Sequence, residues 1–267
     1  SFAELSPKQL CLASVSYHRR LKKRNNNAHE GYRKAGLALD LAFDKLGLPH
    51  NYCEDPTAYK YNQAWERKDY NIDGLLIVKE TAKNTGHICA NGGKHKITLK
   101  GFIGPDSSFA IDKILETYPA CANADGNIIS PVEVRLESAG GLIKDGYSLG
   151  RSLRKYRAST VIEDDKICAS SCAVAFLGGR ERHIEHSGTI LFHAPYYNRL
   201  NAMGEEDPDC DVETATLNGL QDYYVEMTDK ETGGRLFERT MWYCSTDNGW
   251  TITGGDAADL YGIGSGL

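Results

Sequence analysis

The feature that most constrains the fold is the order of apolar patterns from about Lys94 onward. Short runs in which apolar and polar residues alternate indicate strands at 96–103, 132–136, 160–162 and 189–193. Runs with helical spacing lie between them, at 105–118 and 142–156. Strands that alternate with helices pair mostly in parallel, through crossover connections. We therefore predict an α/β domain over residues 91–267.

The first ninety residues show a different pattern. Two runs at helical spacing cover 10–21 and 32–46, and a short strand is predicted at 73–78. Most of this segment therefore has the character of helices joined by polar loops. We expect an N-terminal helical extension over residues 1–90.

Composition excludes several classes of protein. The 267 residues are 41% hydrophobic and 25% charged, which is typical of a globular chain. No apolar run approaches the 18 or so residues of a membrane span, so no transmembrane helix is expected. The net charge of −5 argues against nucleic acid as a partner, and we interpret the basic run at 18–24 as a solvated helix end.

Three chemically suggestive elements fall where predicted strands end. Gly140-Gly141 follows one strand, so an unhindered backbone amide can approach a substrate oxygen there. Ser170 lies at the start of the apolar segment 173–177, where a helix would begin with free amides. His193 ends a later strand, and histidine is the usual base that activates a serine.

Each element alone has an ordinary structural interpretation. A glycine pair after a strand is usually a tight turn, a serine at a helix start is usually an N-cap, and a single histidine is usually structural. The order and spacing of all three favour a serine-hydrolase site with Ser170 as nucleophile and His193 as base.

These motifs resemble those of the Clp protease proteolytic subunit, within the crotonase-like fold. Ser138-Ala-Gly-Gly141 is similar to the family's Ser-Pro-Gly-Gly turn, and Ala169-Ser-Ser-Cys-Ala173 to its Ala-Ser-Met-Gly-Ala nucleophile segment. Leu191-Phe-His-Ala-Pro195 is similar to its Met-Ile-His-Gln-Pro base segment. A looser likeness extends to about two thirds of the chain and implies a crotonase/Clp-protease-like fold.

The resemblance also implies roles for residues. Ser170 would be the nucleophile and His193 the general base, and the amides of Gly140 and Ser171 would form the oxyanion hole. The family's aspartate precedes a Phe-Leu-Ser segment, and Asp247 is the acid nearest to the matching position here, so Asp247 would complete the catalytic triad by orienting His193. The implied activity is that of a serine peptidase acting through an acyl-enzyme on a peptide or protein substrate, without cofactor or metal.

A homo-oligomer is expected on the same grounds. The predicted helix with Leu217, Leu220, Tyr224 and Met227 on one face corresponds to a helix that joins subunits in the protease. The alternative is that this apolar face packs on its own sheet. The resemblance leaves open whether an unfoldase partner exists.

The sequence also departs from the family. Ala139 replaces the family's proline, and the first ninety residues have no counterpart in the protease. Because related folds include members that have lost activity, a catalytically inactive Clp-like binding module remains an alternative. A second alternative is an acyl-CoA-type hydrolase on the crotonase fold, which would use the two amides for a thioester oxygen.

A zinc site is a further interpretation of the cysteines and histidines near Ser170. Cys168, Cys172, His183 and His186 superficially suggest zinc ligands, but their spacing and the apolar segment 173–177 argue against a zinc site.

The cysteines point to an oxidising compartment. Their number is even and most are well separated, which favours disulfides; they are Cys11, Cys53, Cys89, Cys121, Cys168, Cys172, Cys210 and Cys244. One pairing is 11–53, 89–121, 168–172 and 210–244, although connectivity does not follow from sequence.

We expect a periplasmic or secreted protein whose leader is absent from this chain, and periplasmic Clp-like proteins resemble it through a Cys-Ala-Ser-x-Cys element. Eight reduced thiols and a cytoplasmic location are the alternative.

Overall fold

The structure is a computed structural model that describes residues 9–14, 65–82, 89–90, 92–200, 203, 206–210, 219–244 and 248–264. The chain divides into two compact units. The larger comprises Arg67–Thr81, Lys94–Ala120 and Ser130–Leu267, and it contains every element that builds the candidate site. Residues 9–14 are helical. The domain boundary predicted at residue 90 stays a prediction.

The described residues contain thirteen strands. In chain order they are β1 Trp65–Ile72, β2 Leu75–Ala82, β3 His95–Ile103, β4 Cys121–Ala122, β5 Ile128–Ser130, β6 Glu133–Gly141, β7 Ser159–Ile162, β8 Ile167–Ala169, β9 Arg182–Ile184, β10 Thr189–Phe192, β11 Tyr197–Leu200, β12 Glu206–Asp209 and β13 Trp250–Thr253. Nine of them form one sheet, whereas β4 pairs with β5 and β11 pairs with β12 in two small ribbons.

Besides the helical residues 9–14, the described residues contain six helices. They are α1 Ser107–Thr117, α2 Ile143–Lys155, α3 Ser171–Phe176, α4 Leu220–Met227, α5 Lys230–Met241 and α6 Gly255–Leu260. Helix α5 begins with a well-formed cap, in which the Asp229 side chain accepts from the amides of Glu231 and Thr232. The prediction of a mixed α/β chain is therefore confirmed.

The large sheet runs in the order β1-β2-β3-β6-β8-β10-β13, and β7 and β9 extend it from β6. The pairs β3–β6, β6–β7, β6–β8, β8–β10 and β7–β9 are parallel, as predicted. Strand β6 changes partner along its length, from β7 at 133–135 to β8 at Ser138. The carboxyl ends of β3, β6, β8 and β10 consequently meet at one edge, where ligands of such sheets bind.

The expectation of a helical segment up to residue 90 is wrong for 65–82. These residues form the β1–β2 hairpin, whose turn has positive φ at Asp73 (47°) and Gly74 (86°). An Asp-Gly dipeptide with two positive φ values makes the type I′ turn that matches the twist of two antiparallel strands. Only the strand after this turn was predicted, because the charged residues of β1 hide its alternation.

The apolar face predicted for subunit contact is buried within the chain. Leu220, Tyr224 and Met227 of α4 belong to the core cluster that also includes the strands of the large sheet. Leu217 lies outside the described residues. The homo-oligomer therefore stays a prediction that this helix no longer supports.

Three of the predicted cysteine pairs are disulfides: Cys89–Cys121, Cys168–Cys172 and Cys210–Cys244. Cys11 is also disulfide-bonded, and its predicted partner Cys53 lies outside the described residues. Within the described part of the chain, no helix is both long and apolar enough to cross a bilayer.

Candidate active site

Three neighbouring strands bring the predicted site residues to one edge of the sheet. Ser138 of β6 pairs with Cys168 of β8, and Ala169 of β8 pairs with Leu191 of β10. Adjacent strands lie about 4.8 Å apart. Gly140, Ser170 and His193 each lie within two residues of these pairs, so the fold places them side by side.

Ser170 occupies a strained turn between β8 and α3. Its φ of 57° and ψ of −125° lie outside the regions that residues with a β-carbon normally adopt. The turn is held by the Ser170 amide, which donates to the carbonyl of Leu191 at 2.9 Å, and by the Ser170 carbonyl, which accepts from Val174 at 3.1 Å. Such conformations cost roughly 1–3 kcal/mol and concentrate at functional sites.

Gly140 approaches the Ser170 side chain so closely that only glycine fits. Its φ is +112°, and a β-carbon added there would lie 2.7 Å from Cβ and 3.2 Å from Oγ of Ser170. The same β-carbon would lie 2.9 Å from the carbonyl oxygen of Ala169. The bare backbone of β6 is therefore one wall of the space around the serine hydroxyl.

Helix α3 is fixed by close packing against α2 and α4. A β-carbon at Gly146 of α2 would lie 2.6 Å from the Ser171 carbonyl oxygen, so the two helices touch through backbone. The buried Tyr223 hydroxyl of α4 donates to the Val174 carbonyl at 3.0 Å. The Cys168–Cys172 disulfide joins the end of β8 to the first turn of α3. These contacts determine where the turn carrying Ser170 lies.

His193 directly follows β10, and its tautomer is set by a backbone carbonyl. Nδ1 lies 2.8 Å from the carbonyl oxygen of Ala194. Because a carbonyl only accepts, Nδ1 carries the proton and Nε2 keeps its lone pair. Burial of the ring, most of which is shielded from solvent, lowers the pKa of His193, against the smaller opposing effect of the Ala194 bond. The imidazole is therefore neutral at pH 7 with a basic nitrogen available.

The contacts expected of a serine–histidine pair are not made in this structure. Within the described residues, no hydrogen bond joins Ser170 Oγ to His193. The Gly140 amide donates to Ser138 Oγ at 2.9 Å, and that hydroxyl in turn donates to the Gly101 carbonyl. The amide predicted to bind an oxyanion is thus occupied by a side chain of the same strand.

Two other predicted residues have different outcomes. Ser171 is fully buried at the start of α3, where no side chain caps the first-turn amides, and its own hydroxyl lacks a partner. Asp247 lies outside the described residues. The ring nitrogen that it would orient is already bonded to Ala194.

Sequence reasoning missed the roles of Ser138 and Ala194. A serine two residues before a glycine can accept that glycine's amide in a local side-chain turn, so Ser138-Ala-Gly140 carried a detectable signal. The Ala194 contact is made by a main-chain carbonyl and leaves no trace in residue type.

The zinc interpretation is ruled out by the disulfide, because bonded Cys168 and Cys172 offer no thiolate ligand.

Chemically, the arrangement combines a strained serine, a neutral histidine and a glycine wall. These are the parts of a nucleophilic acyl-transfer site.

Comparison with known proteins identifies a structural neighbour but no family. No protein-family model matches the sequence, and no curated protein matches it. Among solved structures, a mutant of the 1510-N membrane-bound stomatin-specific protease is similar, with 15% sequence identity and a TM-score of 0.46. That match covers 62% of this chain and 75% of the other.

Proposed function

We propose that this chain is a serine peptidase with a crotonase/Clp-protease-like fold. The observation that carries the proposal is the strained turn at Ser170, with Gly140 against its hydroxyl. His193, on the adjacent strand, supplies a neutral imidazole whose Nδ1 is already held. A fold maintains such strain only where its contacts enforce it, which supports a functional role for the serine.

In the proposed mechanism, Ser170 Oγ attacks a peptide carbonyl while Nε2 of His193 accepts its proton. The imidazolium then donates that proton to the departing amine, and water hydrolyses the acyl-enzyme by the reverse sequence. The Ala194 carbonyl stabilises the positive ring through Nδ1. Asp247 would serve as a third member only by displacing that carbonyl.

The oxyanion would bind at two backbone amides, those of Ser171 and Gly140. The Gly140 amide becomes available when the Ser138 hydroxyl rotates away from it. Each such donor contributes on the order of 10²–10³ in rate. Rotation of the Ser138 hydroxyl would therefore free the second donor, and a hydrogen bond from Ser170 Oγ to Nε2 of His193 would also have to form before attack.

One observation favours the alternative of a catalytically inactive binding module. Ser138 occupies the Gly140 amide, so a bound carbonyl must compete with an existing hydrogen bond. The same occupancy applies equally to an acyl-CoA-type hydrolase and to the proposed peptidase, because each would use both amides for an oxyanion.

Hydrolysis of fluorogenic peptides distinguishes the proposed peptidase from an inactive binding module and from an acyl-CoA-type hydrolase. Replacing Ser170 by Ala should lower kcat by roughly 10³-fold or more, as should His193→Ala, without additivity in the double variant. Ser148→Ala is the matched control, since Ser148 is an exposed serine on α2 and should leave kcat unchanged. Hydrolysis that survives Ser170→Ala would show that the nucleophile is a different residue.

We also propose that the protein works in the periplasm or outside the cell. The three described disulfides support this, because such bonds persist in oxidising compartments. Peptide or protein substrates are proposed from the mechanism.

A further inference from the structure

A cleft of about 400 Å³ lies in the larger unit, away from the Ser170 turn. Helix α5 forms one wall, and β13 and the end of α6 form the other. Its size is within the range of about 300–1,000 Å³ that ligand sites occupy.

The walls of this cleft are aromatic and unusually exposed. Trp242 is 71% exposed, Leu260 is 83% exposed and Tyr261 is 43% exposed, although each is a large apolar side chain. Trp250, only 6% exposed, forms the floor and packs edge-on against Tyr261, with ring centroids 4.9 Å apart. Clustered exposed apolar side chains of this kind mark binding surfaces.

Arg239 provides the cleft with a cation, and the lining also carries the exposed Glu238 and Arg235, which forms an ion pair with Glu231 at 3.6 Å. Its guanidinium lies 4.6 Å from the Trp242 ring and 5.7 Å from the Trp250 ring, so both indoles hold it in place. Its Nε is buried and has no hydrogen-bond partner. Across the part of the chain that the structure describes, no carboxylate forms an ion pair with Arg239, although the protein carries a net charge of −5.

These features specify the chemistry of the occupant. A guanidinium offers five donors and no acceptor, and it binds carboxylates in a bidentate manner. The surrounding rings can cover apolar side chains, and tryptophan, tyrosine and arginine dominate the energetics of protein interfaces. We propose that this cleft binds a peptide segment of a partner protein in which a carboxylate is flanked by apolar residues.

The cleft is also connected to the strand that bears His193. Trp250 pairs with Phe192 across the β10–β13 ladder, and their rings lie 5.8 Å apart. His193 is the next residue after Phe192. The binding proposal nevertheless stands independently of the proposed peptidase activity, because it uses none of the catalytic residues.

Calorimetric titration with two capped peptides tests the proposal. The probes are Ac-Gly-Leu-Glu-Leu-Gly-NH₂ and the same peptide with Gln in place of Glu, with mass spectrometry to confirm that they stay intact. The Glu peptide should bind at least about tenfold more tightly than the Gln peptide, since the two differ only in the charge that Arg239 would recognise.

Variants locate the binding site. Arg239→Gln and Trp242→Ala should each weaken binding of the Glu peptide by about tenfold or more. Arg67→Gln is the matched control, because Arg67 is an exposed arginine on β1, at the other end of the sheet order, and should leave affinity within twofold. Arg239→Lys, which keeps the charge but not the planar fork, should show an intermediate loss.

Several outcomes would overturn the proposal. Equal affinity for the Glu and Gln peptides would remove the role of charge, and unchanged binding by Arg239→Gln would place the peptide elsewhere. Absence of binding to either peptide at millimolar concentration would show that the cleft does not take this class of ligand.

Discussion

At the scale of single residues, Gly140 is the position where one added methyl group bears directly on the Ser170 side chain. A methyl group there would lie 2.7 Å from Cβ of Ser170 and 2.9 Å from the Ala169 carbonyl oxygen. Its φ of +112° is also strained for any residue with a β-carbon. Gly140→Ala should therefore lower kcat/KM by about 10²-fold, because the serine is displaced, and lower the free energy of unfolding by roughly 1–3 kcal/mol.

Gly219→Ala is the control that separates the effect of a positive φ from the effect of the close approach to Ser170. Gly219 also has a positive φ, of +75°, but a β-carbon there would meet nothing within 4 Å. This variant should lose some stability and keep its activity. If both variants lose activity equally, the close approach of Gly140 to Ser170 is not what matters.

The second residue-scale prediction concerns the acidic limb of the rate profile. Burial lowers the pKa of His193 below its ordinary value of 6.5. Because the neutral imidazole is the base, kcat/KM should rise with pH along a limb whose midpoint lies below 6.5. Peptide hydrolysis from pH 4 to 8 measures this limb. A midpoint above 6.5 would contradict the assigned environment of His193.

Part of the candidate site could be predicted at this scale, and the reason is chemical. Each of Gly140, Ser170 and His193 has an ordinary structural explanation, but their order at the ends of predicted strands pointed to one candidate site, and the structure brings the strands concerned together. The Ser138–Gly140 hydrogen bond and the Ala194 carbonyl could not be predicted with equal force. Both depend on local backbone geometry, which residue type constrains weakly.

At the scale of elements, the junction between β8 and α3 depends on the Cys168–Cys172 bridge. The bridge closes only a very short loop, so its entropic contribution to stability is small, about 2 kcal/mol. It nevertheless spans the strained Ser170. Replacing both cysteines by alanine should therefore lower kcat by tenfold or more while the protein remains folded, as judged by circular dichroism and peptide hydrolysis.

The Cys89–Cys121 bridge is the matched control. It closes a loop with a sequence separation of 32 and should contribute about 4 kcal/mol to stability. Its double alanine variant should lose more stability and less activity than the Cys168/Cys172 variant. The reverse ranking would show that the bridge beside Ser170 has only a structural role.

Elements were predicted well where periodicity is strong. The strands β3, β6 and β10 and the helices α1 and α2 follow the apolar patterns of the sequence. Strand β1 did not, because its sequence, WERKDYNI, is mostly exposed and gives a weak pattern. The Asp73-Gly74 turn was the better indicator of that hairpin.

At the scale of the whole molecule, acid sensitivity should depend in large part on the buried His95, whose pKa is lowered to about 4. His95 Nδ1 lies within hydrogen-bond distance of Thr81 Oγ1, at 3.0 Å, and Thr81 Oγ1 accepts from the buried Lys79 at 2.9 Å. Burial, assisted by the charge of Lys79, lowers the pKa of His95 from 6.5 to about 4. Folding is therefore disfavoured by protonation of this residue.

The pH range in which stability changes is set by the two pKa values of His95, 6.5 in the unfolded chain and about 4 in the folded protein. Above about pH 6.5 the histidine is neutral in both states and its contribution is complete. Between pH 6.5 and pH 4 the unfolded chain binds a proton on this histidine and the folded protein does not. The free energy of unfolding therefore falls as the pH is lowered, by on the order of 2–3 kcal/mol in total. Urea unfolding from pH 8 to 4 should show this slope in the native protein and in His183→Gln, an exposed control. It should be reduced in His95→Gln, and an equal slope in all three would contradict the assignment.

Activity-based labelling tests the central claim most directly, because it asks whether Ser170 is a nucleophile without requiring the natural substrate. A fluorophosphonate probe reacts covalently with a serine that a neighbouring base activates. We predict one adduct per chain, mapped to Ser170 by peptide mass spectrometry, absent in Ser170→Ala and retained in Ser148→Ala. A native protein that takes up no probe, or takes it up at another residue, would contradict the assignment of Ser170 as the nucleophile.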